Sequence, residues 1–400
     1  MRVLVTYGWC RTAYAAVGSL SRRGYEVYSC SSHGPSMSSW SRWSISSEYV
    51  PDPFTEPVEF TLAVVDLVGK WSIDIVLPGH EDALVLRGNE DLLPDHVLLA
   101  TPGMEALELG FDKAAITRAA IEAGVPVPAT RFPSSINEAQ QAAREIGFPL
   151  VVKVRRSNSG KGVSLVGTVN ELDSLFAGKY REVAANPARF PLLQEFVDGQ
   201  VVGACFLARA GEPEAVFQER YLRCKDGAFG TSVYRVPMND PRLDDSVDRL
   251  VRHLCWTGLG HFDFILPADG SPPVLLEMNP RLWGAINLAL INGFDFPAAL
   301  IAGICGQQDL GEFFCRREEP LASLWLVGEG ISALNQLRNS RGGVALTRWG
   351  GEFGRSLIGS RFDDFAWSDP LPLIAEAACY AKLFVKSGGS TNPAVEGMFG

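Results

Sequence analysis

The sequence predicts an α/β protein that opens with a doubly wound parallel sheet, and three observations carry that expectation. Strand-like and helix-like segments alternate through the first hundred residues, the pattern of a sheet covered on both faces. The apolar run Ile73–Leu77 stops at Pro78-Gly79, as a buried parallel strand does. The 400 residues are 46% hydrophobic and 20% charged, a globular composition long enough for about two to four domains.

The elements follow in order. Arg2–Val5 is a strand, Thr6–Arg11 a turn and Thr12–Arg23 an amphipathic helix. Gly24 stops that helix, and Tyr25–Cys30 returns as a second strand. Ligands of such sheets lie beyond the carboxyl ends of the strands, so Tyr7–Thr12, Ser31–Ser36 and Pro78–Asp82 are candidate contacts. The first turn offers only Gly8 and no G-x-G-x-x-G, which argues against a dinucleotide. The Ser/Trp-rich stretch Ser36–Ser47 reads as a loop.

A second unit begins near Thr101. Asp112–Ala123 is a helix stopped by Gly124, and Val-Pro-Val-Pro then holds the chain extended. Asn137–Ile146 is a further helix; strands Leu150–Val154 and Val163–Val166 flank the Gly/Ser turn Ser157–Gly162. Leu192–Val197, Val201–Arg209 and Ala215–Tyr221 read as strands, Asp245–Thr257 as a helix, and Gly260–Leu266 and Val274–Met278 as strands. From about Gly306 the pattern is mixed. No internal repeat is present.

Composition excludes several functions. Lys+Arg 36 against Asp+Glu 46 gives a net charge of −10, which argues against a nucleic-acid or anionic-membrane partner. An anionic ligand therefore needs a local cluster of positive residues. The eight cysteines contain no C-x-x-C and the five histidines are scattered, so reduced thiols in a cytoplasmic protein are expected, not disulfides or zinc. No run approaches the ~18 apolar residues of a membrane span. Met1–Leu20 carries Arg11 in its middle and reads as strand, turn and helix rather than a signal peptide.

The most informative segment is a pair of strands, His261-Phe-Asp-Phe-Ile-Leu and Val274-Leu-Leu-Glu-Met-Asn-Pro-Arg281, joined by a turn. Alternation puts His261 with Asp263 on one face, and Glu277 with Asn279. If the two strands pair in register, Asp263, Glu277 and Asn279 present three oxygens together, a hard-cation set suited to Mg²⁺. Arg281, two residues on, is placed to hold a phosphoryl oxygen or a carboxylate. Upstream lies positive charge: Lys113 opens a helix, Lys153 sits inside an apolar strand, and Lys161 lies between glycines whose amides suit phosphate oxygens. Leu192–Gly199 is a strand and turn able to meet an adenine edge or simply to belong to the core. Arg220, Arg223 and Arg235 are further candidates to hold a substrate carboxylate.

In these motifs the chain resembles the ATP-grasp superfamily, specifically its carboxylate–amine ligase-like members in the carbamoyl-phosphate-synthase and D-alanine-ligase branch. The motifs are Phe111-Asp-Lys113 with Gly124-Val-Pro-Val-Pro, Val151-Val-Lys153 with Ser159-Gly-Lys-Gly-Val, Gln194-Glu-Phe-Val, and Leu276-Glu-Met-Asn-Pro-Arg281. The resemblance spans about Leu98–Ile304 and implies a Rossmann-like parallel-sheet domain (1–100), an ATP-grasp small lobe (101–191), a large lobe with the metal site (192–305) and a mixed C-terminal α/β extension (306–400). It implies that Lys113 and Lys153 hold ATP phosphates, that Ser159 and Lys161 lie in the phosphate lid, and that Gln194, Glu195 and Val197 meet adenine. Asp198 or Gln200 would stand in for the usual ribose-binding acid, because Val201 occupies its place. Asp263, Glu277 and Asn279 would bind one or two Mg²⁺, with Mn²⁺ able to substitute, and Arg281 would steady the transferred group. His261 stands where D-alanine-ligase-like members carry an arginine, as a catalytic or substrate contact.

The implied reaction activates a small-molecule carboxylate as an acyl phosphate, releases ADP and joins the acyl group to an amine of an amino acid or small peptide. The resemblance also allows a homodimer. A thiol, hydroxyl or bicarbonate acceptor stays open, as does a Mg-ATP-binding protein with little catalysis. His261 and Glu81 are the candidates for a general base.

Overall fold

The computed structural model describes residues 1–157, 162–225, 230–339 and 343–390. Strands β1 (Arg2–Val5), β2 (Glu26–Ser31), β3 (Ser46–Tyr49), β4 (Ile75–Leu77) and β5 (Leu98–Leu99) form a parallel sheet in the order β3-β2-β1-β4-β5. Successive β1 side chains face opposite layers. Val3 and Val5 pack with Ala13, Ala16 and Leu20 of the Arg11–Arg22 helix, whereas Leu4 packs with Phe60 and Val64 of the Pro57–Trp71 helix. The chain leaves β1 in opposite directions toward β2 and β4, so a crevice opens beyond the carboxyl end of β1. The stretch expected as a loop, Ser36–Ser47, runs at its end into the edge strand β3, which begins at Ser46. Its Ser-Ser-Glu-Tyr carries no apolar alternation, and backbone pairing to β2 alone makes it a strand.

A smaller antiparallel sheet follows, β6 (Thr130–Arg131), β7 (Leu150–Lys153), β8 (Val163–Val166) and β9 (Leu192–Glu195), in the order β6-β9-β7-β8. The Ile136–Ile146 and Val169–Ala177 helices bury Ala139, Ala143, Leu172 and Phe176 against Leu150, Val152 and Leu193. Both helices are capped by a hydroxyl, Ser135 and Thr168, that accepts from the amide three residues on.

The third sheet contains β10 (Gly199–Arg209), β11 (Glu212–Cys224), β12 (Ser232–Met238), β13 (Gly258–Pro267), β14 (Val274–Asn279), β15 (Ala322–Leu324) and β16 (Ser360–Phe362). Its order is β14-β13-β10-β11-β12-β15-β16. The Pro241–His253 helix covers one face, with Leu243, Val247 and Leu250 against Val202, Phe206 and Phe262. The other face shares a core with the N-terminal sheet, because the Arg11–Arg22 helix packs against the Phe296–Ile304 helix. Strand β12 was absent from the expected elements: Arg235 and Pro237 interrupt its apolar pattern. The stretch beyond Gly306 supplies two strands to this sheet and the Leu371–Lys386 helix.

All eight cysteines carry free thiols. No helix among the described residues is long and apolar enough to cross a membrane.

Candidate functional site

The β13–β14 hairpin sets the geometry. Asp263 lies across from Glu277, and His261 across from Asn279. Asn279 Nδ2 donates to Asp263 Oδ2 at 3.1 Å, and the Tyr221 hydroxyl donates to Asp263 Oδ1 at 2.7 Å. Arg281 Nη2 donates to Asn279 Oδ1 and to Glu81 Oε1, both at 3.1 Å, while its buried Nε finds no acceptor among the described residues. Lys113, at the start of the Lys113–Glu122 helix, reaches across to Glu277 Oε2 at 3.1 Å and donates to the Ser157 carbonyl at 2.6 Å. Lys153 Nζ, from β7 of the smaller sheet, donates to the Leu276 carbonyl at 3.4 Å. Two basic residues from one part of the chain thus meet two acids and an amide from another.

The local electrostatics follow from burial and mixed charge. Burial pushes the Lys153 ammonium down to about 8, with Lys113 adding to the shift and Glu277 and Asp263 opposing it. Burial alone would raise Glu277, but Lys113 and Lys153 hold it below the usual carboxylate range. Asp263 is raised, by burial and by Glu277, although His261 acts the other way. Burial works against the charged form of His261, yet Asp263 and the Glu219 hydrogen bond lift it above the ordinary value. Two like-charged acids held side by side in a buried site are what a hard cation would relieve.

Lys153, Tyr221, Asp263, Glu277, Asn279 and Arg281 line one cleft of about 310 Å³ together with His261, Gln194, Glu195 and Val197. Near Gln194 its walls are Val151, Val163, Val201, Ile265 and Leu276, apolar surfaces suited to a flat ring. Gln194 Nε2 donates to Thr130 Oγ1 at 3.0 Å, leaving the buried Oε1 without a partner among the described residues. Glu195 is exposed at the rim and accepts from the Ala129 amide at 3.3 Å. Asp198 is not brought in: it is exposed outside the cleft lining, where the chain turns from β9 into β10, and its carbonyl accepts from the Ala268 amide. Ser159 and Lys161 lie outside the described residues. Lys113 lies behind Glu277 and is not part of the cleft wall.

Other candidates are committed elsewhere. Glu81 is buried against Arg281 and His80, which leaves it poorly placed as a free base. Arg223 pairs with Glu329, and Arg235, fully buried, pairs with Asp363. Arg220 is exposed.

Several cleft residues were missed. Glu219 and Tyr221 on β11 stand beside His261, at 3.4 Å from Glu219 Oε1 and 3.1 Å from the Tyr221 hydroxyl. Gly203 makes room for them, because a Cβ there would lie 2.5 Å from His261 Nε2 and 2.9 Å from the Tyr221 hydroxyl. In Gln218-Glu-Arg-Tyr-Leu-Arg223 polar residues fall on both faces, so alternation selects neither. At the far end the cleft reaches the β1 turn, where Tyr7, Trp9 and Arg11 face Trp325 and Tyr380 of the C-terminal stretch. The Tyr7–Thr12 turn was a candidate from its place after β1. The two C-terminal aromatics carried no local signal.

The chain is similar to known proteins in sequence and in fold. A family model described as the ATP-grasp domain matches residues 111–285. A formate-dependent phosphoribosylglycinamide formyltransferase of Marinobacter nauticus is 34% identical over 230 residues, 54% of this chain and 58% of the relative. A D-alanine–D-alanine ligase of Acidovorax ebreus is 26% identical over 243 residues, 56% of this chain and 69% of the relative. Two further curated relatives are spanned over only 39% and 25% of their own length. Among solved structures, the biotin carboxylase domain of Hydrogenobacter thermophilus 2-oxoglutarate carboxylase matches with a TM-score of 0.63 at 18% identity, over 76% of this chain and 69% of that one. At that identity the likeness is one of fold.

Proposed function

We propose that this member of the ATP-grasp superfamily is an ATP-dependent ligase that activates a substrate carboxylate as an acyl phosphate and joins it to an amine. One observation carries the reading: Lys153 lines a single cleft with Asp263, Glu277 and Asn279, and Lys113 pairs with Glu277 from behind it, although 110 to 166 positions separate the two sets in the chain. That is the local positive field an acidic protein needs for a polyphosphate.

The nucleotide base would lie between Val151, Val201 and Leu276, with the chain at Gln194–Val197 along its edge. Asp263, Glu277 and Asn279 would hold magnesium, which when bound neutralises charge on the transferred phosphoryl group. Lys153 donates to the phosphates, and the unpaired Nε of Arg281 offers a hydrogen bond to the oxygen on which charge develops. His261, held by Glu219 and Tyr221, stands beside this group as a proton-bearing contact. The chain supplies positioning and charge, and the covalent step takes place between substrates.

The test is ADP and phosphate release by the full chain with Mg-ATP and a panel of carboxylates, amines, a thiol and bicarbonate, with products read by mass spectrometry. An amide product formed with ADP is the expected result. AMP release would end the acyl-phosphate reading. Tight Mg-ATP binding without turnover on any pair would leave a nucleotide-binding protein instead.

A further inference from the structure

We infer that the far half of the cleft selects an aromatic carboxylic acid, an aromatic amino acid or aryl acid, as the substrate that is activated or joined. The inference rests on the ligase reading for its chemistry and on separate residues for its specificity.

Rings from opposite ends of the chain form one wall. Tyr7 and Trp9 of the β1 turn lie with ring centroids 5.2 Å apart, Trp9 lies 6.2 Å from Tyr380, and Tyr380 lies 5.8 Å edge-on to Trp325. All four line the cleft. Tyr7 holds φ at 58°, a conformation rare for a tyrosine. Such strain persists only where surrounding structure enforces it, and it gathers at functional sites. Here it sets the Tyr7 ring flat against His80, 5.0 Å between centroids. A wall of offset rings accepts another ring in stacked or edge-on contact, worth about 0.5–1.5 kcal/mol per pair beyond burial.

The polar groups on this side say what the ring carries. The indole N–H groups of Trp9 and Trp283 are buried and find no acceptor among the described residues. Both tryptophans border the cleft. Arg11 lies over the Trp325 ring at 3.8 Å and donates through Nε to the Gly284 carbonyl at 2.8 Å. Arg11 already has the Asp363 carboxylate at 3.9 Å, so the need for an acceptor comes from the two unpaired indole N–H groups, which suit the oxygens of a carboxylate. A cationic ligand is disfavoured, because Arg11 already covers the Trp325 face.

The experiment titrates the full chain by calorimetry with phenylalanine, tryptophan and phenylacetate, and with leucine, glutamate and hexanoate, each with and without Mg-ADP. The aromatic acids should bind at least about tenfold more tightly than the aliphatic ones. Trp9→Leu and Tyr380→Ala should each weaken the aromatic acids about tenfold while changing Mg-ADP affinity less than about twofold. Tyr380 is only half-buried, so its truncation reports even if the Trp9 variant fails to fold. Equal binding of aliphatic acids, or no binding of aromatic ones, overturns the inference. Aromatic binding in a chain that does not bind Mg-ADP would sink the ligase reading and leave this one standing.

Discussion

Two buried ion pairs on the same seven-stranded sheet have opposite characters. Arg235 on β12 meets Asp363 just after β16 with side chains 0% and 1% exposed, and Asp363 also accepts from Ser323 and Asn287. Lys113 meets Glu277 on β14 with exposures of 6% and 26%, and the acid faces the cleft beside Asp263 and Lys153. The first carboxylate is saturated by protein and sealed. The second is held ionised by cations yet retains oxygens that face open space. A charge that the fold has completed is a structural element, whereas one left incomplete next to a cavity waits for a ligand.

The contrast is sharpest in what each pair loses. Asp363→Ala leaves Arg235 buried without its counter-charge and is expected to cost about 3–5 kcal/mol, read from the urea unfolding midpoint. A loss under 1 kcal/mol would erase the distinction. Glu277→Gln, on the other pair, should cut ADP release about 1000-fold while the urea midpoint moves much less. Wild-type rates would remove Glu277 from the proposed metal site. Gly203→Ala forces His261 and Tyr221 aside and should lower turnover up to about 100-fold at unchanged secondary structure. Retained activity would mean that His261 need not hold its position.

The smallest effect concerns protons. Lys153 titrates near 8 in the free protein, and a bound polyphosphate favours its charged form. Above pH 8 the complex therefore carries more protons than the free chain, binding takes up a proton, and affinity falls by up to about tenfold per pH unit. Calorimetry of Mg-ATP in buffers of different ionisation enthalpy reads the uptake directly. Proton release in that range would contradict the assignment.

The sequence shows these two regions unequally. Asp263, Glu277 and Asn279 were legible because a short turn between alternating strands leaves one register and one face. Lys153 stood out as a charge inside an apolar strand. Arg235 looked like a free arginine because its partner lies 128 residues away, just beyond a strand of three residues. Strands β3 and β12 were missed where backbone pairing overrode a weak apolar pattern. The aromatic wall is a product of tertiary folding, and no local period joins Trp9 to Tyr380.

The Gly284 carbonyl accepts from both Arg11 and Arg235, and Asp363 is the anion that lets two guanidinium groups share it. A fragment ending at residue 285, where the family match stops, keeps the hairpin and both lysines but drops that anion. The two cations would then repel across one peptide oxygen and pull the first turn away from the sheet. Truncation after residue 285 is thus expected to yield an unstable polypeptide, and the shortest folding version of this chain must run past β16.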